Sequence, residues 1–490
     1  MTAAAPRPRP QPGSVIDGFL LEERVHEGSM ATIWRVSRPD FPVPLAMKMP
    51  LTRDFDDPTA IVGFEVETMI LPTLSGVHVP RFIAAGDLSV EPYIVMEFVA
   101  GPSLRARLAD APLNHEELAS IGAKVASALH DLHSQHVIHL DLKPSNVMFR
   151  PTGEAVLIDF GLSRHDRLPD LLAEEFRVPM GTGPYISPEQ VRHRRNDPRS
   201  DLFSLGVVLY FLATGERPFG NPTSIRGLRK RLYRDPVPPR ARTPTVPPWI
   251  QEIILRCLEV DPRNRYESAA QLAFQLQHPE QVKLSWRADK MSADSFLTVA
   301  RRRFRAVGEE PPEEGQSASD QLSRAPIILI ALDLAQASPA LTDALRLAAR
   351  RVLHTESGAR LACVTVMKQS RIGMDVNVDE EGRSLHLRRL VELKDWARPL
   401  GVPPERITYH VLEAPDAGDE IIEFARANHV DQIVIGSRGS STLRRYLGSV
   451  SSQVVAESDC TVIVVKAPES AAARAAAAAE EEAARSLEAL

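Results

Sequence analysis

The segment of the chain with the most evident chemistry is residues 138–146, which read Ile-His-Leu-Asp-Leu-Lys-Pro-Ser-Asn. Phosphoryl transfer needs a group that orients a hydroxyl proton, a cation beside the transferred phosphate and an oxygen ligand for Mg²⁺. Asp141, Lys143 and Asn146 fit these roles in turn. Thirteen residues after Asn146, Asp159 begins an Asp-Phe-Gly sequence at the end of an apolar run. A carboxylate at a strand end is a plausible second metal ligand, so the spacing predicts metal-dependent phosphate chemistry.

Further pieces with suitable chemistry are spread over residues 17–278. Lys48 closes a β-like run, and Glu67 lies in a helical stretch from which it could pair with that lysine. Gly28 lies between two β-like runs, where a missing Cβ lets backbone N–H groups approach a phosphate. Short strand-like runs come first in this region and longer helical patterns follow. The pattern therefore predicts a mixed domain of strands and then helices.

These pieces, in this order over about 260 residues, resemble the protein kinase family, and Lys143 in Asp-x-Lys-x-x-Asn is similar to the Ser/Thr type. The resemblance implies an α+β bilobal kinase fold, ATP and Mg²⁺ (or Mn²⁺) as cofactors, and transfer of the γ-phosphate to protein hydroxyls, including the chain's own. It implies a catalytic set of Lys48, Asp141 and Lys143; a nucleotide-binding set of Gly28, Lys48, Glu67, Glu97 and Val99, the last two through their backbone; metal ligands Asn146 and Asp159; and a substrate-loop and structural set of Thr182, Glu189, Asp201 and Arg265.

The chain departs from the family pattern in three places. The phosphate-covering loop keeps only Gly28 of three glycines, and His26 stands at the first position, where it could weaken nucleotide binding. Leu140 replaces the arginine that in the family pairs with a phosphorylated activation loop. That loop, residues 162–180, has Ser163 at its start and no other Ser, Thr or Tyr. We therefore expect activity that does not depend on phosphorylation of the activation loop.

The main alternative is a silent kinase fold, in which the chain is a nucleotide-binding scaffold or pseudokinase that signals by conformation without turnover. Lys48, Asp141, Asn146 and Asp159 are all present, which favours the active enzyme. The basic stretch at 225–234 is interpreted as a solvated helix face.

A second pattern begins at residue 326, where strands that are apolar on both faces alternate with helical stretches. This alternation predicts βαβ units and a buried, doubly wound parallel sheet. Gly436, Gly439, Gly448 and Ser449 lie between a strand and a helix N-terminus, a place where N–H groups and the helix dipole favour phosphate. Asp333 ends the first strand, where open α/β sheets bind ligands and where it could accept hydrogen bonds from a ribose or adenine.

About 140 residues of this region resemble the universal stress protein family. The resemblance implies ATP or AMP as a ligand, although eight residues separate Gly439 from Gly448 where the nucleotide-binding members have nine. The alternative is that Gly436 and Gly439 only shape the turn. Family members commonly dimerise through the last strand, here Cys-Thr-Val-Ile-Val-Val-Lys, and a homodimer would favour autophosphorylation in trans. The domain is therefore expected to act as a stress sensor for the kinase, or as a dimeriser.

Composition sets the outer limits. The 490 residues carry 58 Lys and Arg against 64 Asp and Glu, so a global positive field for nucleic acid is absent. The three cysteines form no CxxC pair, and no apolar run of 18 residues or secretory signal is seen, so we expect a cytoplasmic protein without a membrane partner. Proline, at 40 residues, clusters at the N-terminus and in 307–324. The expected divisions are a disordered N-terminus (1–16), a kinase domain (17–278), a helical extension and linker (279–324), a stress-protein-like nucleotide-binding domain (325–467) and an Ala/Glu-rich tail (468–490).

Overall fold

The computed structural model describes residues 10–28, 31–51, 58–88, 91–308, 325–356, 358–369, 384–437 and 448–467. The chain divides into two compact units, Met1–Gln316 and Ser317–Leu490. Most of the predicted disordered N-terminus, most of the predicted linker and Gly439 lie outside the described residues, as does nearly all of the tail. Within the described ranges, no helix has the length and apolar content needed to cross a bilayer. The cytoplasmic location stays a prediction.

The first unit begins with an antiparallel sheet in the strand order β1-β2-β3-β4-β6-β5 and one helix, α1. Alternation along the strands divides the side chains between the two faces: Leu45 and Met47 of β4 belong to one apolar cluster with Trp34 of β3, while Ala46 packs in another with Phe64 of α1. The sheet therefore holds α1 against one face. The bounds are β1 (Val15–Ile16), β2 (Phe19–Glu27), β3 (Ala31–Arg38), β4 (Phe41–Pro50), α1 (Pro58–Ile70), β5 (Phe82–Ala85) and β6 (Ile94–Glu97).

The ordered fold begins earlier than residue 17, so the predicted disorder is wrong for the end of segment 1–16. Val15 pairs with Leu20 and Ile16 with Phe19, and the N–H of Gly13 donates to Leu21 at 2.8 Å. Backbone pairing of this kind requires little apolar content, so the polar, proline-rich composition of the N-terminus gave no sign of it.

The rest of the first unit is helical and contains two small β-ribbons. Helix α2 begins at Asn114, whose side chain accepts the N–H of Glu117, and α5 ends at Gly215 in the left-handed conformation. The longest apolar run of the sequence lies in α5, which is buried along nearly all of its length, as expected. The elements are α2 (His115–Ser134), β7 (Val137–Ile138), β8 (Val147–Phe149), β9 (Ala155–Leu157), β10 (Arg164–His165), α3 (Leu171–Glu175), α4 (Pro188–Val191), α5 (Arg199–Thr214), α6 (Ile225–Leu228), α7 (Pro239–Arg242), α8 (Pro248–Cys257) and α9 (Ala269–Gln277).

The helical extension predicted at the start of 279–324 is not one continuous helix. It is divided into α10 (Trp286–Asp289) and α11 (Phe296–Gly308), and only α10 packs closely, with Ala288 buried. Leu297 and Phe304 of α11 are 79% and 82% exposed. Ion pairs attach α11 instead. Lys290 and Asp294, in the stretch between the two helices, lie beside Asp235 and Arg302, so that two acids and two bases contact one another. The N–O distances among these four residues are 2.8 to 3.2 Å.

The second unit is a five-stranded parallel sheet in the order β13-β12-β11-β14-β15, which confirms the predicted doubly wound α/β fold. The central strand β11 is buried at every residue, as expected for a strand with both faces covered. Its elements are β11 (Ile327–Ala331), α12 (Pro339–Thr355), β12 (Arg360–Lys368), α13 (Leu385–Ala397), β13 (Ile407–Ala414), α14 (Ala417–Ala427), β14 (Gln432–Ser437), α15 (Ser449–Glu457) and β15 (Thr461–Lys466).

Candidate active site

Lys48 lies between two carboxylates contributed by distant parts of the first unit. Its Nζ is 2.5 Å from Glu67 Oε2 on α1 and 2.8 Å from Asp159 Oδ1. Burial by itself would lower the pKa of Lys48, but the charges of Asp159 and Glu67 outweigh it and hold the pKa above its ordinary value. The Lys48 ammonium in turn lowers the pKa of Asp159 to about 2. The site therefore holds an ammonium beside a carboxylate that stays ionised at neutral pH.

The two predicted metal ligands lie on adjacent backbone segments. The carbonyl of Asn146 accepts the N–H of Ile158 at 3.0 Å, which places Asn146 beside the residue that follows, Asp159. Asp159 has φ of 68°, a left-handed conformation that turns the chain directly before Phe160. Its side chain is 40% exposed, so a carboxylate oxygen remains accessible. One carboxylate and one amide oxygen suit Mg²⁺, which keeps waters and substrate phosphates as its other ligands.

Asp141 is enclosed by hydrogen-bond donors from two loops. Its Oδ1 accepts from Thr182 Oγ1 at 2.6 Å and from the Thr182 N–H at 3.0 Å. Its Oδ2 accepts from Lys143 Nζ at 2.6 Å and from Asn146 Nδ2 at 3.3 Å. Lys143 Nζ also donates to Thr182 Oγ1 at 3.2 Å, which closes the ring. The structure thus brings together two of the three predicted catalytic residues, one predicted metal ligand and the predicted substrate-loop threonine. They are Asp141, Lys143, Asn146 and Thr182.

Asp201, on α5, holds the backbone of the loop that carries Asp141. Its carboxylate accepts the N–H of His139 at 2.9 Å and that of Leu140 at 2.8 Å, and His133 Nε2 lies 2.8 Å away. Leu140 has φ of 59°, so these bonds stabilise a conformation that leucine rarely adopts. Burial by itself would raise the pKa of Asp201, but the hydrogen bonds from His133 and His139 hold it below its ordinary value.

Glu189 and Arg265 form a buried bidentate ion pair away from the reacting groups. The two N–O distances are 2.7 and 2.8 Å, and the side chains are 6% and 0% exposed. Ser200 Oγ donates to the same Glu189 carboxylate at 2.7 Å. Three backbone carbonyls, of Arg199, Glu259 and Val260, also accept from the guanidinium. The pair ties the loop after Thr182 to the C-terminal helices.

The residues expected to contact a nucleotide through their backbone are placed less completely. Gly28 directly follows strand β2, and its N–H donates to the carbonyl of Ala31, the first residue of β3, at 3.0 Å. The Glu97 side chain pairs with Arg150, while the Glu97 backbone N–H donates to the backbone carbonyl of Arg81 at 2.8 Å. In the part of the chain that the structure describes, the N–H of Val99 donates to no backbone carbonyl. This leaves Val99 able to donate to a ligand.

Three residues that position the site were not found from the sequence. Gln190 Nε2 donates to the carbonyls of Leu140 at 2.7 Å and Met180 at 3.1 Å, and so joins two loops. Arg231 is 1% exposed and donates to the carbonyls of Gly183 and Ile186, although 225–234 was interpreted as a solvated face. Burial lowers the pKa of Arg231 to about 10. Arg195 is the third. All three bind main-chain atoms, which leave no pattern in a sequence.

The predicted nucleotide site of the second unit is only partly described. Asp333 Oδ1 accepts the N–H groups of Ala335 at 3.2 Å and Gln336 at 3.1 Å, so this carboxylate caps the turn after β11. A Cβ on Gly436 would lie 3.0 Å from a Leu341 methyl group, which assigns this glycine to close packing between β14 and α12. Gly448 and Ser449 begin α15, as expected.

Comparison with known proteins matches both units. Residues 19–279, just over half of the chain, match the family model described as protein kinase domain. Residues 326–466 match the model of the universal stress protein family.

Individual relatives resemble the first unit. A probable serine/threonine-protein kinase of Clostridium perfringens is 31% identical over 261 residues, which cover 53% of this chain and 38% of the relative. Serine/threonine-protein kinase PknB of Mycobacterium leprae is 32% identical over 245 residues, or 48% of this chain and 39% of the relative. The chain therefore spans well under half the length of these relatives. A crystal structure of the PknI kinase domain of Mycobacterium tuberculosis aligns with 55% of this chain and 98% of its own, at 22% identity and a TM-score of 0.44.

Proposed function

Because the chain belongs to the protein kinase family, we propose that it is a serine/threonine protein kinase that transfers the γ-phosphate of ATP to protein hydroxyls, including its own. The observation that carries this proposal is the closed set of contacts among Asp141, Lys143, Thr182 and Asn146, with Lys48 paired to both Glu67 and Asp159. Phosphoryl transfer depends mainly on positioning and electrostatics, and these contacts position one base, two cations and two metal ligands.

Each side chain has a part in the proposed reaction. Lys48, oriented by Glu67, binds the α- and β-phosphates of the nucleotide. Asp141 orients the substrate hydroxyl and accepts its proton, while Lys143 neutralises charge on the transferred phosphoryl group. Thr182 fixes the Asp141 carboxylate. The structural contacts of Glu189, Asp201 and Arg265 support positioning roles for these three residues.

The protein kinase family uses ATP with a divalent metal ion, and we propose that Asp159 and Asn146 hold Mg²⁺ here, with Mn²⁺ as a substitute. When bound, the ion supplies positive charge to the phosphates. Asp159 Oδ1 also accepts a hydrogen bond from Lys48 Nζ at 2.8 Å, so the metal ion would share this carboxylate with the ammonium. The backbone of Glu97 and Val99 recognises adenine, and Gly28 lies over the phosphates.

Incorporation of labelled γ-phosphate tests the enzyme directly. We expect purified full-length protein to label itself and a generic protein substrate in the presence of Mg²⁺. It should incorporate no label when EDTA is present from the start. The Asp159→Asn variant, purified in parallel, should show at least a hundredfold lower rate. Equal incorporation by the two proteins would identify a contaminating kinase as the source.

The second candidate is a nucleotide-binding scaffold without turnover, favoured by the exposed His26 at the first position of the phosphate-covering loop. A fluorescent ATP analogue distinguishes the two functions. Binding that saturates without phosphate release or transfer supports the scaffold. Tighter binding of the analogue by His26→Gly than by wild type would show that the His26 side chain weakens nucleotide binding.

For the second domain we propose a regulatory sensor that binds ATP or AMP and forms a homodimer through β15. The position of Asp333, Gly448 and Ser449 at the carboxyl ends of β11 and β14 supports the site. Calorimetry on the full-length chain should give two nucleotide sites, and Ser449→Tyr should leave only one. A dimer would favour autophosphorylation in trans, and sedimentation of a monomer at micromolar concentration would remove this part of the proposal.

The domain boundaries proposed are 17–278 and 325–467, with the joint in 307–324. The family models match 19–279 and 326–466, which supports these limits. Brief digestion with a nonspecific protease should cut in the joint first and release two stable fragments. A first cut inside either matched range would contradict the division.

A further inference from the structure

The activation segment, residues 162–180, is held by an ion pair that is mostly shielded from water. Arg195 Nε lies 2.9 Å from Asp170 Oδ2 and 3.2 Å from its Oδ1. Asp170 lies in the middle of the segment, and Arg195 comes from the loop between α4 and α5. The side chains are 15% and 7% exposed respectively. Because both are shielded from water, the pair is worth more than a surface salt bridge.

Arg195 also binds the beginning of the segment. Its Nη2 donates to the carbonyl of Leu162 at 3.1 Å and to that of Ser163 at 3.4 Å. One guanidinium therefore joins the residues that directly follow Asp-Phe-Gly to the middle of the segment. A second cation, Arg164, places its Nε 3.7 Å from Asp170 Oδ2. Asp170 is thus the anion between two arginines.

Asp170 also begins helix α3. Its Oδ1 accepts the N–H of Ala173 at 3.3 Å, and the helix buries Leu171 and Leu172 in the apolar cluster that contains Val62 of α1. The same carboxylate therefore caps α3 and pairs with Arg195. Loss of the carboxylate would free the helix start and the guanidinium together.

We propose that Asp170 and Arg195 are positioning residues that keep the activation segment in its productive conformation without phosphorylation. Kinase activation loops are commonly ordered when an added phosphate pairs with arginine, and a carboxylate can supply the same anionic partner permanently. Residue 140 is a buried leucine and contributes no cation, so Arg195 and Arg164 supply the positive charge instead. This inference rests on the proposed kinase function.

The segment reaches the loop that carries Asp141 at both of its ends. Ser163 Oγ donates to the carbonyl of His139 at 3.0 Å, and Thr182, which follows the segment, binds Asp141. None of the contacts that join Lys48 to Glu67 and Asp159 involves Asp170 or Arg195. Loss of the pair should therefore lower kcat and leave the affinity for nucleotide nearly unchanged. A general loss of folding would change both.

Steady-state kinetics and hydrogen exchange on the full-length protein test the proposal. The variants are Asp170→Asn, Arg195→Lys and the conservative Asp170→Glu, with Asp166→Asn as the matched control, because Asp166 is an exposed acid of the same segment. We expect Asp170→Asn and Arg195→Lys to lower kcat about tenfold or more. Asp170→Glu should keep most of the activity, and the Kd of an ATP analogue should stay within twofold in all variants.

Exchange at the amides of residues 173–176 should accelerate at least tenfold in Asp170→Asn and stay unchanged in Asp166→Asn. Peptide mass mapping of the active wild-type protein should show no phosphate within residues 162–180. The proposal is overturned if Asp170→Asn matches Asp166→Asn in kcat and in exchange, or if removal of a phosphate from this segment abolishes activity. If wild type lacks turnover that depends on Asp159, the kinase function fails, and the exchange comparison alone then decides whether the pair holds the segment.

Discussion

Lys48 Nζ lies 2.5 Å from Glu67 Oε2, a contact that joins strand β4 to helix α1. The same helix meets the turn after Asp159 without any side chain between them. A Cβ on Gly63 would lie 3.1 Å from the carbonyl oxygen of Gly161, and one on Gly161 would lie 3.2 Å from that of Gly63. The position of Glu67 therefore depends on a backbone-to-backbone approach that two glycines permit.

Gly63→Ala should displace α1 and weaken the contact between Lys48 and Glu67. The added methyl group meets backbone, which cannot rotate away, and overpacking of this kind costs about 1–3 kcal/mol. We expect kcat/KM to fall about tenfold. The matched control is Gly122→Ala in α2, where the new Cβ meets methyl groups of Leu209 and Leu276 that can adjust. Equal activity of the two variants would show that the position of α1 tolerates the methyl group.

Arg265→Met should destabilise the first unit by about 3–5 kcal/mol, because it leaves the Glu189 carboxylate buried without its partner. Arg263→Met serves as control, since this neighbouring arginine pairs with Asp261 but its side chain is 83% exposed, and we expect a much smaller loss of stability. Urea denaturation followed by fluorescence measures both. Similar losses in the two variants would contradict a special contribution of the buried pair.

Asp201→Asn should loosen the catalytic loop and lower the free energy of unfolding by about 2–3 kcal/mol, as expected when a buried charged acceptor of three hydrogen bonds is neutralised. The amide has one acceptor oxygen, so it cannot bind the N–H groups of His139 and Leu140 as the carboxylate does. Asp131→Asn, at an acid that is 51% exposed, is the control. Wild-type kcat in Asp201→Asn would rule out a positioning role.

The stability difference between wild type and Asp201→Asn should become smaller as the pH falls below about 4. Because the pKa of Asp201 lies below its ordinary value in the folded chain, its stabilisation is present in full above about pH 4 and is lost as the pH falls further. Urea midpoints of both proteins at pH 7, 5, 4 and 3.5 measure this. A difference that grows as the pH falls would contradict the assignment.

The close placement of the proposed reacting groups could be predicted from the sequence because their chemistry is concentrated in short stretches. Asp141, Lys143 and Asn146 lie within six positions, and the structure places them in one hydrogen-bonded ring. The parallel sheet of the second unit could also be predicted, since strands buried on both faces have continuous apolar sequences such as 327–331. Local composition carries this kind of information well.

The contacts that hold the site could not be predicted in the same way. Arg195 and Arg231 bind carbonyl oxygens 32 to 48 positions away in the chain, and every residue offers such an oxygen. Nothing in the stretch 225–234 distinguishes the one buried arginine from its solvated neighbours. The division of the helical extension into α10 and α11 was not predictable either, and Asp235, more than 50 positions away in the chain, pairs with Lys290 between the two helices and with Arg302 of α11.

The two contacts that hold residue 140 do not depend on its side chain. Asp201 takes its N–H and Gln190 its carbonyl, so both bind atoms that every amino acid except proline provides. Substitution there changes neither anchor, and the left-handed backbone would even favour glycine or asparagine. Because Leu140 is only 2% exposed, a saturation library should show that position 140 accepts other apolar residues but not charged ones, whereas positions 190 and 201 tolerate almost no substitution.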